Sequence, residues 1–93
     1  MRQFLVHDTR DNVGVAVVDI EAGQTATGAS LDNGHSLQVT ACEAIPLGHK
    51  IALKDLKVGD TVIKYGEDIG KVVANIRAGE HVHVHNLKTK RWQ

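Results

Sequence analysis

The sequence predicts a small all-β domain, and three observations support that prediction. One Phe, one Trp and one Tyr are the whole aromatic content of the 93 residues, so the core must be built from Val, Ile, Leu and Ala. Valine is the most frequent of these, and β-branched residues fit a pleated surface better than a helix. Short apolar runs alternate with glycine turns, and no convincing long amphipathic helix is present. A chain this short holds one core, so we expect a single domain over residues 1–93.

Five segments have the pattern of β-strands between turn-forming residues. They are residues 12–19, 36–41, 51–53, 61–65 and 69–74. The first is almost continuously apolar, as in a strand buried on both faces, whereas the second alternates polar and apolar residues, as in a half-exposed strand. Within 31–35, Asn33-Gly34 predicts a type I′ hairpin turn, because Asn and Gly both tolerate positive φ angles.

A six-residue motif recurs three times in the chain. It consists of a polar residue, an aliphatic residue, two spacers, a glycine and a polar residue, and it occupies 19–24, 55–60 and 75–80. We expect the aliphatic residue to enter the core while the glycine permits the turn into the next strand. The uneven spacing indicates a recurrent turn rather than a solenoid. Residues 45–50 interrupt the alternation of the preceding strand segment with a proline and a glycine, which predicts a tight, shaped loop.

Composition and charge argue against several classes of function. Eleven Lys and Arg balance eleven Asp and Glu, and aromatic residues that could stack on bases are almost absent. Nucleic-acid binding is therefore disfavoured. No run approaches the roughly 20 apolar residues of a membrane span, and the first eight residues lack the apolar stretch of a signal peptide. We expect a cytoplasmic protein, for which a near-zero net charge makes a partner chain or a homo-oligomer plausible.

The most distinctive feature is the segment His81-Val82-His83-Val84-His85-Asn86. In a strand, side chains alternate between faces, so the three imidazoles would share one face and the valines the other. Histidines two residues apart on a strand can reach one metal ion, and His83 and His85 are our candidate ligands of a divalent metal. With His81 and Asn86 they form a candidate catalytic surface. A half-exposed strand without any function alternates in the same way, so that alternative stays open.

Two further pairs of residues are candidate substrate contacts. Gly48 lets its loop approach an anion closely, so His49 and Lys50 are placed to meet a carboxylate. Lys64 and Tyr65 can polarise or deprotonate a hydroxy acid. Each pair also has a purely structural interpretation, as an exposed charged turn for the first pair and as a core or interface anchor for the only tyrosine.

Cys42 can form no intramolecular disulfide and is expected to be a small buried residue.

Other features point to a partner rather than to a complete active site. Trp92, beside Lys90 and Arg91, is predicted to anchor another chain. The sequence contains no HExxH, P-loop, dinucleotide fingerprint or nucleophile elbow. A domain of this size has difficulty enclosing a substrate, so we expect another chain to complete the site.

Four blocks of the sequence resemble the SAF domain, and more closely the SAF domain at the N-terminus of altronate and galactarate dehydratases. They are residues 48–53, 62–66, 69–70 and 79–86, of which the last, Gly-Glu-His-x-His-x-His-Asn, is the most specific. The resemblance implies a β-clip fold, which is a small bent β-sheet structure. The residues that match the family's characteristic positions are His49, Lys50, Lys64, Tyr65, His81, His83, His85 and Asn86.

The resemblance also implies a function. Full-length members are sugar-acid dehydratases with a much larger C-terminal catalytic portion and a divalent-metal requirement, often iron or manganese. Stand-alone versions are small subunits of split lyases such as sulfolactate sulfo-lyase. We therefore expect the small subunit of a two-component lyase that docks on a large catalytic subunit. The reaction would be β-elimination of water or sulfite from a small 2-hydroxy acid such as altronate, galactarate or sulfolactate.

Two alternatives belong to other functional classes. The chain would be a non-catalytic SAF module if, by itself, it binds a sugar acid or a partner protein. It would be an oligomerisation domain if it self-associates and is indifferent to loss of its histidines.

Overall fold

The computed structural model describes residues 2–8, 10–83 and 85–89 of the chain. It contains nine strands: β1 Phe4–Val6, β2 Val13–Ala16, β3 Thr25–Ser30, β4 Ser36–Thr40, β5 Lys50–Ala52, β6 Thr61–Lys64, β7 Glu67–Val72, β8 His81–Val82 and β9 Leu87–Thr89. These residues include no helix that is long and apolar enough to span a bilayer. The predicted all-β class is confirmed. The predicted anchor Trp92, with Lys90 and Arg91, lies outside the described residues.

The strands form two sheets. The larger has the order β4-β3-β1-β2-β5-β8, and the smaller has the order β6-β7-β9. Strands β1 and β3 are parallel, whereas the other described pairs are antiparallel. Strand β5 pairs with β2 on one side and with β8 on the other, with Lys50 opposite Val82 and Ile51 opposite His81. This pairing places residues 49–51 beside the start of residues 81–86, which we call the histidine segment.

The core consists of two apolar clusters rather than one. The first contains Phe4, Val6, Ala16, Ile20, Ala26, Ala41, Ile45 and Ile51, and the second contains Val13, Ala52, Leu56, Val62, Val72, Ile76, Val82 and Leu87. Strand β5 contributes to both, because successive side chains of a strand point to opposite faces. Ile51 therefore enters the first cluster and Ala52 enters the second.

The six-residue motif occurs four times rather than three. The fourth copy is residues 44–49, which overlap the loop predicted at 45–50. It buries Ile45 and holds Gly48 at φ 85°, as the other copies do with their aliphatic residue and glycine. The glycines of the four copies have φ angles of 84–93°. The sequence pattern missed this copy because its first residue is Ala44 rather than a polar residue, and because Pro46 suggested a break.

The four copies act in two pairs. Ile20 forms a bridge with Ile45, and Leu56 forms a bridge with Ile76, so each pair fills one of the two clusters. Side chains reinforce the second pair: Oδ1 of Asp55 accepts a hydrogen bond from the Ala78 N–H at 2.9 Å. The copy at 75–80 makes the equivalent bond to the copy at 55–60, because Oδ1 of Asn75 accepts the Val58 N–H at 3.0 Å.

The hairpin turns differ from the prediction. Strands β3 and β4 do form a hairpin, but its connection is the five residues 31–35, in which Gly34 alone has a positive φ. The predicted two-residue type I′ turn at Asn33-Gly34 is therefore wrong. The two-residue connection instead joins β6 to β7 at Tyr65-Gly66, with φ angles of 56° and 72°. Positive φ at both residues is the requirement of a type I′ turn, although a tyrosine seldom satisfies it.

A close approach between β3 and the Phe4 ring generates a stability prediction. Phe4 is fully buried, and a Cβ atom on Gly28 would lie 2.1–2.4 Å from three atoms of its ring. Gly28→Ala is therefore expected to lower the free energy of unfolding by about 1–3 kcal/mol through overpacking. Urea denaturation measures the change. Thr25→Ala, at the exposed start of the same strand, is the control and should change stability by less than about 0.5 kcal/mol.

The cause of the loss is separable from a general loss of strand stability. Phe4→Leu replaces the ring that the new methyl group meets with a smaller side chain. Gly28→Ala should therefore lower the free energy of unfolding less in that background than in the natural one. Equal costs in the two backgrounds would contradict the proposed clash.

Candidate functional site

The histidine segment is not one continuous strand. Strand β8 ends at Val82, the chain then turns, and β9 begins at Leu87, so the expected strand through Asn86 is wrong. The buried amide of Asn86 is the physical reason. Its Oδ1 accepts a hydrogen bond from the His83 N–H at 2.9 Å, and its Nδ2 donates to the His81 carbonyl at 2.7 Å. These side-chain hydrogen bonds close a turn by satisfying backbone groups that, in a strand, would bond to a neighbouring strand.

Three imidazoles nevertheless converge, and one of them comes from a part of the chain that is distant in sequence. His49 lies just before β5, whose pairing with β8 brings it beside His81. Ring nitrogens of His49, His81 and His83 all lie within 4.8 Å of one another. His49 Nδ1 and His81 Nε2 are 2.8 Å apart and share a hydrogen bond. The ring centroids of His49 and His83 are 4.6 Å apart. We call these three residues the histidine cluster.

His85 lies at the margin of the histidine cluster. Its exposed ring has its centroid 5.5 Å from that of His81, and its Nε2 lies 3.1 Å from Nδ2 of Asn86. Of the two histidines predicted to bind a metal, His83 belongs to the cluster and His85 stands beside it. Asn86, which was predicted to be catalytic, is buried and has its amide engaged by neighbouring groups of the same segment.

The surroundings favour the neutral form of two imidazoles. Burial lowers the pKa of His81, and the neighbouring histidines lower it further, while the Glu43 carboxylate opposes them. Burial also lowers the pKa of His83, followed by the charges of His49 and Lys50 among its neighbours. A neutral imidazole has a free lone pair, so both side chains are in the form that accepts a proton or binds a metal at neutral pH.

Two lysines extend the basic surface away from the histidine cluster. Lys50 is partly buried, and its pKa is lowered by that burial and by the charge of Lys64. Across residues 2–8, 10–83 and 85–89, the ion pairs found are Asp8–Arg10 and Arg77–Glu80. Within that part of the chain neither lysine is neutralised by a carboxylate. Lys50 and Lys64 therefore offer positive charge to an anionic ligand.

Tyr65 lies at the tip of the β6–β7 hairpin. It is 56% exposed, which rules out the interpretation as a core anchor. Its ring centroid is 3.9 Å from that of His7 and 5.0 Å from Nζ of Lys64. A side chain from the loop before β2 stabilises the turn, since Asp11 Oδ1 accepts the Gly66 N–H at 2.8 Å. Among the predicted substrate contacts, Tyr65 thus joins Lys64 rather than the histidine cluster.

Sequence reasoning missed a residue that contacts the cluster and misjudged its neighbour. Oε2 of Glu43 accepts a hydrogen bond from the His81 N–H at 3.3 Å, across 38 positions of sequence. Cys42 is exposed rather than buried, and its thiol donates to the Ala78 carbonyl at 3.3 Å. No short-range pattern indicates either contact, because both join segments that are distant in sequence.

Comparison with known proteins decides the family. Residues 2–90 match the family model described as "Altronate/galactarate dehydratase SAF domain". The chain belongs to this family. It is 59% identical over 90 residues to the (2R)-sulfolactate sulfo-lyase subunit alpha of Chromohalobacter salexigens, which covers 96% of each chain. It is 66% identical over 55 residues to the protein of the same name from Paracoccus pantotrophus, covering 59% of this chain and 82% of that one.

Members of the SAF-domain family also include much longer proteins. The chain is 44% identical over 87 residues to altronate dehydratase of Escherichia coli, a match that covers 94% of this chain and 16% of that protein. The resemblance to the dehydratase SAF domain that the sequence motifs indicated is therefore confirmed.

The turn at Asn86 generates a testable prediction. Asn86→Ala leaves the His83 N–H and the His81 carbonyl without their side-chain partners, so the free energy of unfolding should fall by about 1–3 kcal/mol. Asn33→Ala is the matched control, because Asn33 also accepts a backbone N–H, that of His35, but at an exposed site. Urea denaturation of the two variants tests the claim, and equal losses would contradict the importance of the buried amide.

Proposed function

We propose that this chain is the small subunit of a two-component lyase and supplies a basic, histidine-rich surface to a site that a large catalytic subunit completes. The reaction is β-elimination from a small 2-hydroxy acid. The convergence of His49, His81 and His83 beside Lys50 carries this proposal. The nearly full-length similarity to a protein named as a subunit alpha supports the two-component organisation, since that name implies a second subunit.

Among the candidate substrates, sulfolactate has the best support. The relatives whose own length this chain largely covers are sulfo-lyase subunits, at 96% and 82% of their lengths. The altronate and galactarate dehydratases are matched over 13–17% of theirs. We therefore favour sulfite over water as the leaving group.

The residues of this chain fit the requirements of a β-elimination. A base removes the proton on C2, the C–H electron pair becomes the new double bond, and the group on C3 leaves with its own bonding pair. As an alternative to holding a metal, His81 and His83 are candidates for proton transfer, because their lowered pKa values keep the imidazoles neutral. Lys50 and Lys64 can pair with the carboxylate or sulfonate of the substrate.

The donor set of the histidine cluster fits a divalent metal. Its three ring nitrogens lie within 4.8 Å of one another, and neutral imidazole is a common metal ligand. Imidazole suits iron better than manganese, which prefers oxygen ligands, so iron fits this set better. An ion held by His49, His81 and His83 would supply a Lewis acid for negative charge that develops on the substrate. Its binding would replace the hydrogen bond between His49 and His81, since a ring nitrogen gives its lone pair to one partner at a time.

The openness of the histidine cluster supports a site shared with another chain. One cleft of about 420 Å³ is lined by residues that include Asp11, Ser30 and Lys54, and another of about 310 Å³ is lined by residues 19–22 and 44–46. Neither cleft includes a histidine of the cluster. Small-molecule sites normally bury most of their ligand, so the cluster needs a second surface to enclose a substrate.

Recovery of the native complex is the direct test of the proposed function. The tagged chain is purified from native lysate, and the recovered material is assayed for sulfite release from sulfolactate and for dehydration of altronate and galactarate. We expect one abundant larger chain and an activity that neither chain has alone. Recovery of the small chain by itself, as a monomer or a homo-oligomer, would contradict the proposal and favour a binding module.

Single alanine substitutions test the histidine assignments in that complex. Loss of a group that transfers a proton or holds the metal should lower kcat by roughly 100-fold or more, so His49→Ala, His81→Ala and His83→Ala should each do so. His85→Ala should have a smaller effect. His35→Ala, at an exposed histidine of the β3–β4 connection, is the control. Full activity in the double variant His83→Ala, His85→Ala would remove the assignment.

Lys50 is expected to act in substrate binding. Lys50→Gln removes a charge-assisted contact to an anionic group, so KM should rise roughly 10-fold or more while kcat changes less. Lys54→Gln, four residues further along at an exposed position, is the matched control. Steady-state kinetics of the reconstituted complex measure KM and kcat for both variants. An unchanged KM in Lys50→Gln would rule out a role of Lys50 in substrate binding.

A further inference from the structure

The four copies of the motif differ in a hydrogen bond made by the side chain of the sixth residue. In three of them the side chain of the sixth residue accepts from the backbone N–H of the third residue. Gln24 accepts from Glu21 at 3.0 Å, Asp60 from Lys57 at 2.8 Å, and Glu80 from Arg77 at 2.7 Å. In the copy at 44–49 the third residue is Pro46, which has no N–H, and the sixth residue is His49.

The backbone of this copy is otherwise the same as in the others. The His49 N–H donates to the Pro46 carbonyl at 2.9 Å, and the corresponding bonds in the other three copies measure 2.9–3.1 Å. Gly48 also has the φ angle shared by the other glycines. At the sixth position, therefore, the side chain differs from the other copies while the backbone does not. Instead of folding back over its own turn, the His49 ring reaches across to His81.

A histidine at this position can make the bond that the other copies make. Nδ1 of an imidazole is bonded to Cγ, as Oδ2 of an aspartate is, and Oδ2 of Asp60 accepts the N–H of Lys57 in the third copy. Nδ1 of His49 is also the atom that faces His81. Nδ1 can face only one of these partners at a time, so a free N–H at position 46 would compete directly with the histidine cluster for the same nitrogen.

We propose that Pro46 is a positioning residue that keeps His49 available to the histidine cluster, by removing the one backbone donor that would draw its ring back onto the turn. Proline also restricts its own φ to about −65°, which lowers the number of alternative turn conformations. The role of the cluster in metal and substrate binding rests on the proposed function, but the orientation of His49 does not.

The test compares Pro46→Ala with Lys57→Ala. Lys57 occupies the same motif position in another copy and already has an N–H, so its replacement by alanine leaves the donor unchanged. In the full-length chain, ¹⁵N NMR of Pro46→Ala should show a shifted Nδ1 resonance of His49 and a new amide at residue 46 that is protected from exchange. The ring signals of Lys57→Ala should match those of the natural chain.

The functional consequence is measured in the reconstituted complex. The affinity for added Fe²⁺, titrated anaerobically, should fall roughly 2- to 10-fold in Pro46→Ala, the range that one competing hydrogen bond produces. Unchanged His49 signals together with a freely exchanging amide at residue 46 would overturn the proposal. Failure of the natural complex to bind Fe²⁺ would instead contradict the metal site of the proposed function. The two failures are distinguishable, because the NMR comparison reports whether Pro46 sets the orientation of the His49 ring without any metal. Circular dichroism of both variants verifies that the fold is retained.

Discussion

The pairing of the repeated turns is the constraint on which the rest of the structure depends. With almost no aromatic residues, the chain divides its apolar side chains between two small clusters, and each cluster receives one bridged pair of turns. Backbone bonds tie the last copy to β5, since the Gly79 N–H donates to the Ala52 carbonyl and the Ala52 N–H donates to the Glu80 carbonyl, both at 2.9 Å. The end of β4 also lies close to this turn and leaves no room for a side chain at residue 79, where a Cβ atom would lie 2.0 Å from the Thr40 carbonyl oxygen.

The histidine cluster is a direct consequence of that pairing. Strand β5 follows the copy at 44–49, and β8 follows the copy at 75–80, so both strands start from glycine turns and run side by side. The two strands are antiparallel, with Lys50 opposite Val82, so His49, just before β5, lies beside the histidine segment where β8 ends. The chain has no net charge, yet this surface collects histidines and two lysines without carboxylate partners among the described residues. Covering it with another chain would lower the local dielectric and strengthen its attraction for an anion.

Local patterns located most of the sheet but not all of it. Strands β2, β4, β5, β6 and β7 coincide with the five predicted segments, with ends that differ by a few residues. Strands β1 and β9 have three residues each, too few to show a period, and the small side chains of β3 show no alternation. The end of β8 was missed because the Asn86 amide replaces ladder hydrogen bonds, an effect that hydrophobic periodicity does not report.

The sequence by itself determined the fold class, the family and most residues of the candidate site. Valine-rich runs and glycine turns leave a chain of this length few choices other than a small β domain, and the His-x-His-x-His-Asn block marks the candidate site. The tertiary structure decided which histidines meet. His49 and His81 are 32 positions apart and touch because β5 pairs with β8. Strand pairing at that separation depends on how the two turn pairs pack, and no local pattern encodes that packing.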